Sequence, residues 1–548
     1  MAIQTQNQQD VFRPSGNYPP TIWGSSFASL SSLDSEFESY TKEVEILKEK
    51  MKDVLEQPTK ELIGKIKFIK LLCRLGVSYH FRNEIEDQLN HIFTHLFELL
   101  EDNDYDLNIV ATAFQILREH GYKMSSDVFN KFKDSDGGFK KTITNDVKGL
   151  LSLYEATFFR GHGEDILDEA LAFTRQHLEI LAEQSSPHLA NYIKKALVLP
   201  FHRNLERLEA KKYIAFYEEE ESKDETLLRF AKLDYNRLQL LYRQELASLS
   251  RWWKDSDVAE KLDYSRDRIV EAYMWAIGPH FEPQYSVSRI LVAKYIEILT
   301  LIDDTYDGYA TIDEVQHFTA AIERWNIGAI DDLPEYMKIL YKFTLNFFDE
   351  MEKDGYNTCY AKETFKEMVK AYYVEAQWFN NKYMPAFDEY LRNGLVTSGY
   401  RAIPAITFLG MENIVGAKEI QWVETNPKII RAARLISRLR NDTVAREDEK
   451  KKKDGPLSVD CYMNEHGVSK EKAIEEKAIE ETKKMCEDAW KDMNEDCFNP
   501  SVVPMFLLKY YVNLVRFIEY LYTHDDYYTY SSGLKDDITS LFLEQLPL

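Results

Sequence analysis

The chain has 548 residues, 44% hydrophobic and 13% aromatic, which at about 100–200 residues per domain suggests two to four domains with large buried cores. Its formal net charge of −24 argues against nucleic acid and against an anionic membrane surface as partners. It also means that an anionic substrate would need positive charge brought to its site from outside the chain.

Breakers are scarce, with 21 Gly and 16 Pro. Leu, Glu and Lys are abundant and no clean alternating run occurs, so the pattern is all-α. The first ten residues carry Asp10 and no apolar centre, unlike a signal peptide, and are neither long nor Arg-rich enough for a transit peptide. No run of 18 apolar residues offers a membrane span, and the end, EQLPL, carries no lipidation signal. Five dispersed cysteines (Cys73, Cys359, Cys461, Cys486, Cys497) read as reduced, buried thiols. Together these point to the cytosol.

Residues 1–30 contain Pro14, Pro19 and Pro20 and should form an extended arm. Ser35 and Glu38 match a capping box. Phe37, Tyr40, Val44, Leu47, Met51 and Leu55 then recur at helical steps. Similar segments run to about residue 217, where Glu218–Glu221, Ser222 and Lys223 suggest a solvated boundary. The expected units are 1–30, 31–222 and 223–548. EKAIE occurs twice in tandem at 471–480. Five residues do not fit whole helical turns, so we read the copy as an insertion in a surface helix.

Three segments carry chemistry. Arg266 and Arg268 precede Trp275 on a presumed helix and could clamp a departing anion beside an aromatic wall; structural ion pairing is the other reading. Asp303, Asp304 and Asp307 end a stretch, from Ile290 to Ile302, that is apolar nearly all round. Asp303 and Asp307 share a face at a helix C-terminus, where the dipole is already negative. A divalent cation with hard oxygen ligands, such as magnesium, would relieve both penalties; a solvated helix end is the alternative. After Asn426 and Pro427, a helix start, Arg434, Arg438, Asn441, Ala445 and Glu449 form one stripe. Arginines at one end and oxygen ligands at the other suit a metal-bound phosphate, and so does a surface face of ion pairs. Lys450–Lys453 would follow as a basic loop, either a lid or a solvated charge run.

Taken in order, these segments resemble a plant terpene synthase of the sesquiterpene-forming type. The likeness covers the whole chain: Arg13-Pro14 followed after eight residues by Trp23, RWWKD at Arg251–Asp255, the Arg266/Arg268 pair, FEPQYS at Phe281–Ser286, DDTYD, and Asn441–Glu449. It implies an all-α, two-domain fold, an N-terminal helical barrel without catalytic residues and a C-terminal class I terpenoid synthase bundle, with the arm capping the pocket. The first metal motif would be Asp303 and Asp307 with Asp304 behind them, joined by Glu375 in YYVEAQW. Asn441, position 445 and Glu449 would form the second. Position 445 is normally Ser or Thr; Ala445 removes a hydroxyl ligand that water must replace. Arg266, Arg268 and Arg438, with Lys452 from the lysine run, match diphosphate-binding positions. Thr397, Ser398, Gly399 and Tyr400 match a pocket-lining helix break. Trp275, Tyr400, Tyr522 and Tyr528 match or neighbour the aromatic wall, Ile296 and Thr300 line the cavity below the metals, and Asp526 is a candidate proton acceptor.

The implied enzyme is a monomeric lyase. It would use three Mg2+ ions, with Mn2+ as substitute, to ionise farnesyl diphosphate and cyclise the cation in a dry pocket. No DxDD motif supports protonation-initiated chemistry. A monoterpene synthase acting on geranyl diphosphate would ordinarily carry a paired-arginine signature, which Arg13-Pro14 is not. A chain-elongating prenyltransferase would carry a second DDxxD. An impaired helical paralogue is the reading from another class.

Overall fold

The structure is a computed structural model that describes residues 18–30, 34–57, 61–95, 104–452, 455–466, 472–498 and 501–548. Its α-helices of eight residues or more are, in the N-terminal part, Asp34–Glu56 (α1), Leu62–Arg74 (α2), Arg82–Thr94 (α3), Leu107–Glu119 (α4), Val147–Thr157 (α5), Asp165–Gln184 (α6), Pro187–Val198 (α7) and Glu206–Glu218 (α8). The C-terminal part begins with Glu225–Asp255 (α9), Ile269–Ile277 (α10), Ser286–Gly308 (α11), Ile312–Arg324 (α12), Glu335–Lys353 (α13), Cys359–Asn381 (α14) and Phe387–Thr397 (α15). Ala402–Leu409 (α16), Ala417–Glu424 (α17), Lys428–Lys452 (α18), Ser458–Glu465 (α19), Lys472–Asp496 (α20), Met505–Leu521 (α21) and Lys535–Phe542 (α22) complete it. Among the described residues there is no strand, only an isolated bridge between Lys133 and Phe139.

Helical periodicity decides burial. Val44, Leu47, Met51 and Leu55 form the buried stripe of α1, but the helix already includes Asp34, so Ser35 is not its cap. Two main cores result, one gathered from α1–α5 and one from the C-terminal helices. Helix α9 belongs to both: Leu227, Phe230 and Leu233 pack in the first, Leu238, Tyr242, Leu246 and Leu249 in the second. The acidic run at 218–221 therefore separates α8 from α9, while the first turns of α9 complete the N-terminal core. Trp23 and Phe27 of the arm are buried in the C-terminal core, and the Trp23 indole donates to Glu271 Oε1 at 3.0 Å.

Helix α11 is buried on nearly every side until its last turn, as its continuous apolar run demands. Arg266 and Arg268 do not share a helix with Trp275: both lie in the preceding loop, Arg268 being the cap of α10. The break after α15 falls where Gly399 takes φ +77°, a conformation that costs glycine nothing. The lysine run is not a loop, because α18 continues through Lys452; the side chains of 447–452 and all of 453–454 lie outside the described residues. The tandem EKAIE falls at the start of α20, where Ala478 is wholly buried against Val459 and Met463, so that helix is only partly a surface one.

The two parts leave between them a cavity of about 640 Å³, lined by Arg82, Glu119, Phe281, Val503 and Lys509 and by none of the residues picked out as catalytic. No described helix is long and apolar enough to cross a membrane, and all five cysteines are free.

The C-terminal core is pinned by a buried ion pair. Arg289 donates to both carboxylate oxygens of Glu245, at 3.0 and 2.7 Å, and to the carbonyls of His280 and Glu282. Tyr273 also donates to Glu245, at 2.7 Å. Removing one partner strands a charge in apolar surroundings, so Glu245→Ala should destabilise the domain by about 3–5 kcal/mol, measured as the shift of its urea unfolding midpoint by tryptophan fluorescence.

Candidate active site

The last turn of α11 projects three carboxylates from an apolar helix. Asp304 is fully buried while the Asp303 side chain keeps 33% of its surface exposed. Asp304 Oδ2 accepts from the Ser265 hydroxyl and the Arg266 amide, both at 2.7 Å. That fixes the loop ahead of α10 against the end of α11. The Arg266 guanidinium then spans Asp303 at 2.6 Å and Asp304 at 2.8 Å, and donates to Thr529 Oγ1 at 3.0 Å. Burial pushes the Asp303 carboxyl up, against the pull of Arg266. One cation is too few for this site, where Asp307 adds a third acid.

A second wall comes from α14, α15 and α18. Glu375 of α14 accepts from Thr397 Oγ1 at 2.8 Å and Asn393 Nδ2 at 3.3 Å. Burial pushes its carboxyl up to about 7, although Arg438 and the Thr397 hydroxyl act the other way. Arg438 of α18 pairs with the buried Asp442 at 2.6 Å and donates to Asn441 Oδ1. Its stem lies across α15 so closely that a Cβ on Gly394 would stand 2.9 Å from Arg438 Cδ, so a larger residue there would push the Arg438 stem aside. Asn441 donates to the Tyr522 hydroxyl at 2.8 Å. Asp442 is held by Tyr390 at 2.8 Å and the Ser458 amide at 3.1 Å. Arg434 turns away from this cluster and donates to the Leu395 carbonyl at 2.8 Å.

The two walls face each other. The charge of Arg438 acts on Asp303, and buried Tyr372 feels Asp303, Glu375, Asp307 and Arg438 together. Ala445 lies one turn beyond Asn441 on α18, half-buried; the side chains of Glu449 and Lys452 lie outside the described residues. Among the described residues, the only three candidate ligands with donor atoms within 4.8 Å of one another are His162, Asp492 and Glu495, already bridged by Lys428 at 3.4 and 3.6 Å from the two acids. Asp303 turns to Arg266 and Glu375 to Thr397.

Below the acids the core is aromatic. Trp275 meets Tyr400 edge-on at 6.1 Å and Phe517 at 5.5 Å. The hydroxyls are occupied: Tyr400 donates to the Leu514 carbonyl at 3.2 Å, and Tyr528 shares a 2.6 Å bond with Thr300. Ile296 and Thr300 are buried on α11, two turns and one turn before the acids respectively. Ser398 bonds the Leu395 carbonyl, closing α15. Asp526 Oδ1 accepts from the amides of Tyr528 and Thr529 at 3.0 and 3.1 Å and so holds their turn. Arg268, grouped with Arg266 in the sequence, donates its guanidinium to the backbone carbonyls of Tyr528, Asp267, Pro19 and Thr529. Tyr18 was not anticipated: the Arg266 guanidinium lies over its ring, 5.0 Å from the centroid. Ser265, Thr529, Tyr372 and Asp442 were also missed. Of these only Asp442, inside the second acidic segment, carried a local signal.

Residues 254–492 match the pattern described as "Terpene synthase family, metal binding domain", and residues 22–197 match "Terpene synthase, N-terminal domain". The chain is 57% identical to probable terpene synthase 6 of Ricinus communis, over 99% of this chain and 100% of that one. It is 44% identical to hedycaryol synthase of Camellia brevistyla, over 97% and 96%. Isoprene synthase from grey poplar (Populus x canescens), solved with three Mg2+ ions and dimethylallyl-S-thiolodiphosphate, superimposes with a TM-score of 0.86 at 33% identity, covering 94% of this chain and 98% of that one.

Glu375 gives the metal-free protein a pH signature. Folded, it keeps its proton to about pH 7; unfolded, it loses it near 4.5. Between those values the folded state binds the extra proton, so stability falls as pH rises through the window. Glu375→Gln should flatten that slope, leaving the share of Glu155, which burial also holds up to about 7, and stabilise the protein at pH 8.5 by on the order of 3 kcal/mol. Urea unfolding with EDTA at pH 4.5 and 8.5 measures it.

Proposed function

The chain belongs to the terpene synthase family, and on that footing we propose that it is a sesquiterpene synthase. It would ionise farnesyl diphosphate, cyclise the cation and release a sesquiterpene and diphosphate. The observation that carries the reading is two acidic walls that each hold an arginine: Arg266 on Asp303 and Asp304, and Arg438 on Asp442.

Carboxylates already facing guanidinium groups fit a metal-bridged diphosphate. Its oxygens would take over the arginines while the acids take the metals. Asp303, Asp307 and Glu375 would hold magnesium on one side, Asn441 and Glu449 on the other, with three ions, the number bound in the poplar isoprene synthase complex. When bound, Mg2+ neutralises the leaving group as a Lewis acid. Arg266 and Arg438 then clamp the diphosphate and keep it from recombining.

The hydrocarbon end would lie against Trp275, Tyr400 and Phe517, each ring face stabilising a cation by roughly 0.5–2 kcal/mol. Burial holds the protons on Tyr400 and Tyr528, and both hydroxyls are already bonded. The rings therefore offer faces rather than nucleophilic oxygens. The last proton would leave to the retained diphosphate or to Asp526, whose Oδ1 accepts from the Tyr528 and Thr529 amides. The free thiols suit a reducing compartment such as the cytosol. The C15 assignment rests on the resemblance at Arg13-Pro14 and Trp23.

Incubation with farnesyl diphosphate and Mg2+ should release diphosphate and yield a sesquiterpene by gas chromatography. With geranyl diphosphate kcat/KM should be lower, and no product from either would defeat the reading. Asp303→Ala should cut turnover by at least about a thousandfold, yet leave the circular dichroism spectrum unchanged because Asp304 still pairs with Arg266.

Ala445→Ser restores a hydroxyl ligand. The Mg2+ concentration giving half-maximal diphosphate release should fall about threefold or more. An unchanged titration would mean that position 445 does not face the ion.

A further inference from the structure

Arg268 is the most fully committed arginine near the site. Its side chain is wholly buried. Nε donates to the Tyr528 carbonyl at 2.9 Å and Nη1 to the Asp267 carbonyl at 2.8 Å. Nη2 donates twice, to the Pro19 carbonyl at 2.9 Å and the Thr529 carbonyl at 2.8 Å. A guanidinium has five N–H groups, and at least four bonds here end on backbone oxygens. Arg266, two residues earlier, instead aims its guanidinium at carboxylates.

What Arg268 holds matters as much as how. Pro19 follows Tyr18, whose ring covers Arg266 and whose hydroxyl feels Asp304, Asp303 and Asp307. Thr529 supplies the hydroxyl that receives Arg266 Nη1, and Tyr528 supplies the hydroxyl bonded to Thr300 on α11. One nitrogen of Arg268 thus ties the arm to the loop after α21, two segments some five hundred residues apart in sequence, and both flank Arg266. The Arg266 guanidinium touches both segments through side chains, the Tyr18 ring and Thr529 Oγ1, whereas Arg268 bonds the backbone of each.

We propose that Arg268 is a positioning residue rather than a diphosphate ligand. It latches Tyr18-Pro19 to Tyr528-Thr529, so that the arm and the loop close over Arg266 together and exclude water. This rests on the ionisation chemistry proposed above only for its catalytic consequence. A water molecule admitted to the site would bond its oxygen to the cationic carbon and lose a proton to diphosphate, giving an alcohol. An arginine bound to the diphosphate would have to abandon four carbonyls first, leaving buried oxygens unpaired.

The test uses the full-length protein and the variants Arg268→Gln, Arg268→Lys and Arg266→Gln. Hydrogen exchange without metal or substrate reports on the amides of Trp23 and Ser26 in the arm and of Tyr528, Thr529 and Tyr530 in the loop, all hydrogen-bonded in the closed arrangement. In Arg268→Gln both sets should exchange faster together, by about tenfold or more. Affinity for inorganic diphosphate with saturating Mg2+, by calorimetry, should change by less than about threefold in Arg268→Gln but fall more than about tenfold in Arg266→Gln. Alcohols should rise as a fraction of the products from farnesyl diphosphate. Exchange that is unchanged, or faster at one segment alone, overturns the latch. So does a loss of diphosphate affinity matching that of Arg266→Gln. If Arg268→Gln does not fold, Arg268→Lys decides: a single ammonium cannot span the four carbonyls, and partial loss of protection at both segments is required. The exchange result stands whether or not farnesyl diphosphate proves to be the substrate.

Discussion

The site is organised by carboxylates held at the end of an apolar helix. Asp303, Asp304 and Asp307 sit where the α11 dipole is negative and where the preceding turns exclude water. Such a cluster folds only if cations meet it. The chain supplies Arg266 directly and Arg438 from the opposite wall. Other features follow from that shortage of positive charge. Asp304 is tied to the Ser265–Arg266 loop, and Gly394 clears room for the Arg438 stem. Glu375, which no arginine reaches by hydrogen bond, holds a raised pKa instead of a partner charge.

The helical fold was legible because its signal is periodic. The burial of α1 and α11 follows from apolar spacing alone, whereas the α15–α16 break was legible through the family resemblance, and Gly399 takes φ +77° there. The acidic motifs were legible because i, i+4 spacing on a helix fixes a shared face. What spacing could not give was direction outside helices. Arg266 and Arg268 read as equivalents, yet in a loop two residues of separation say nothing about facing. One enters the acid cluster and the other the backbone. The helical course of Lys450–Lys452 was likewise hidden, since a lysine run is compatible with either state. Tyr18 was invisible for a different reason: its role depends entirely on Arg266, far away in sequence.

The N-terminal part contributes no acid to the site but fixes the frame on which the site depends. Arg203 and Arg160 grip Glu487 on α20, Arg516 of α21 pairs with Glu206 of α8, and His202 bonds Asn494 at 3.0 Å. Arg82 reaches across to Glu282 and Tyr285, just ahead of α11. These contacts cross the seam beside α18, α20 and α21, which carry or back the second acidic wall. Because α9 runs through both cores, the seam is bridged by continuous helix as well as by ion pairs. That is a stiffer joint than surface salt bridges alone provide.

Net charge sets the last constraint. At −24 the molecule repels an anionic substrate at long range, and physiological salt screens that field beyond roughly 8 Å. Capture must therefore be decided inside that distance, by groups that are positive locally despite the surrounding field. Arg266 and Arg438 meet the requirement because each is already oriented by acids that a metal-bound anion would displace it from. Preorganisation of this kind spares the cost of gathering cations when the anion arrives. It also explains why the arginines were built into the acidic walls themselves rather than spread around the entrance.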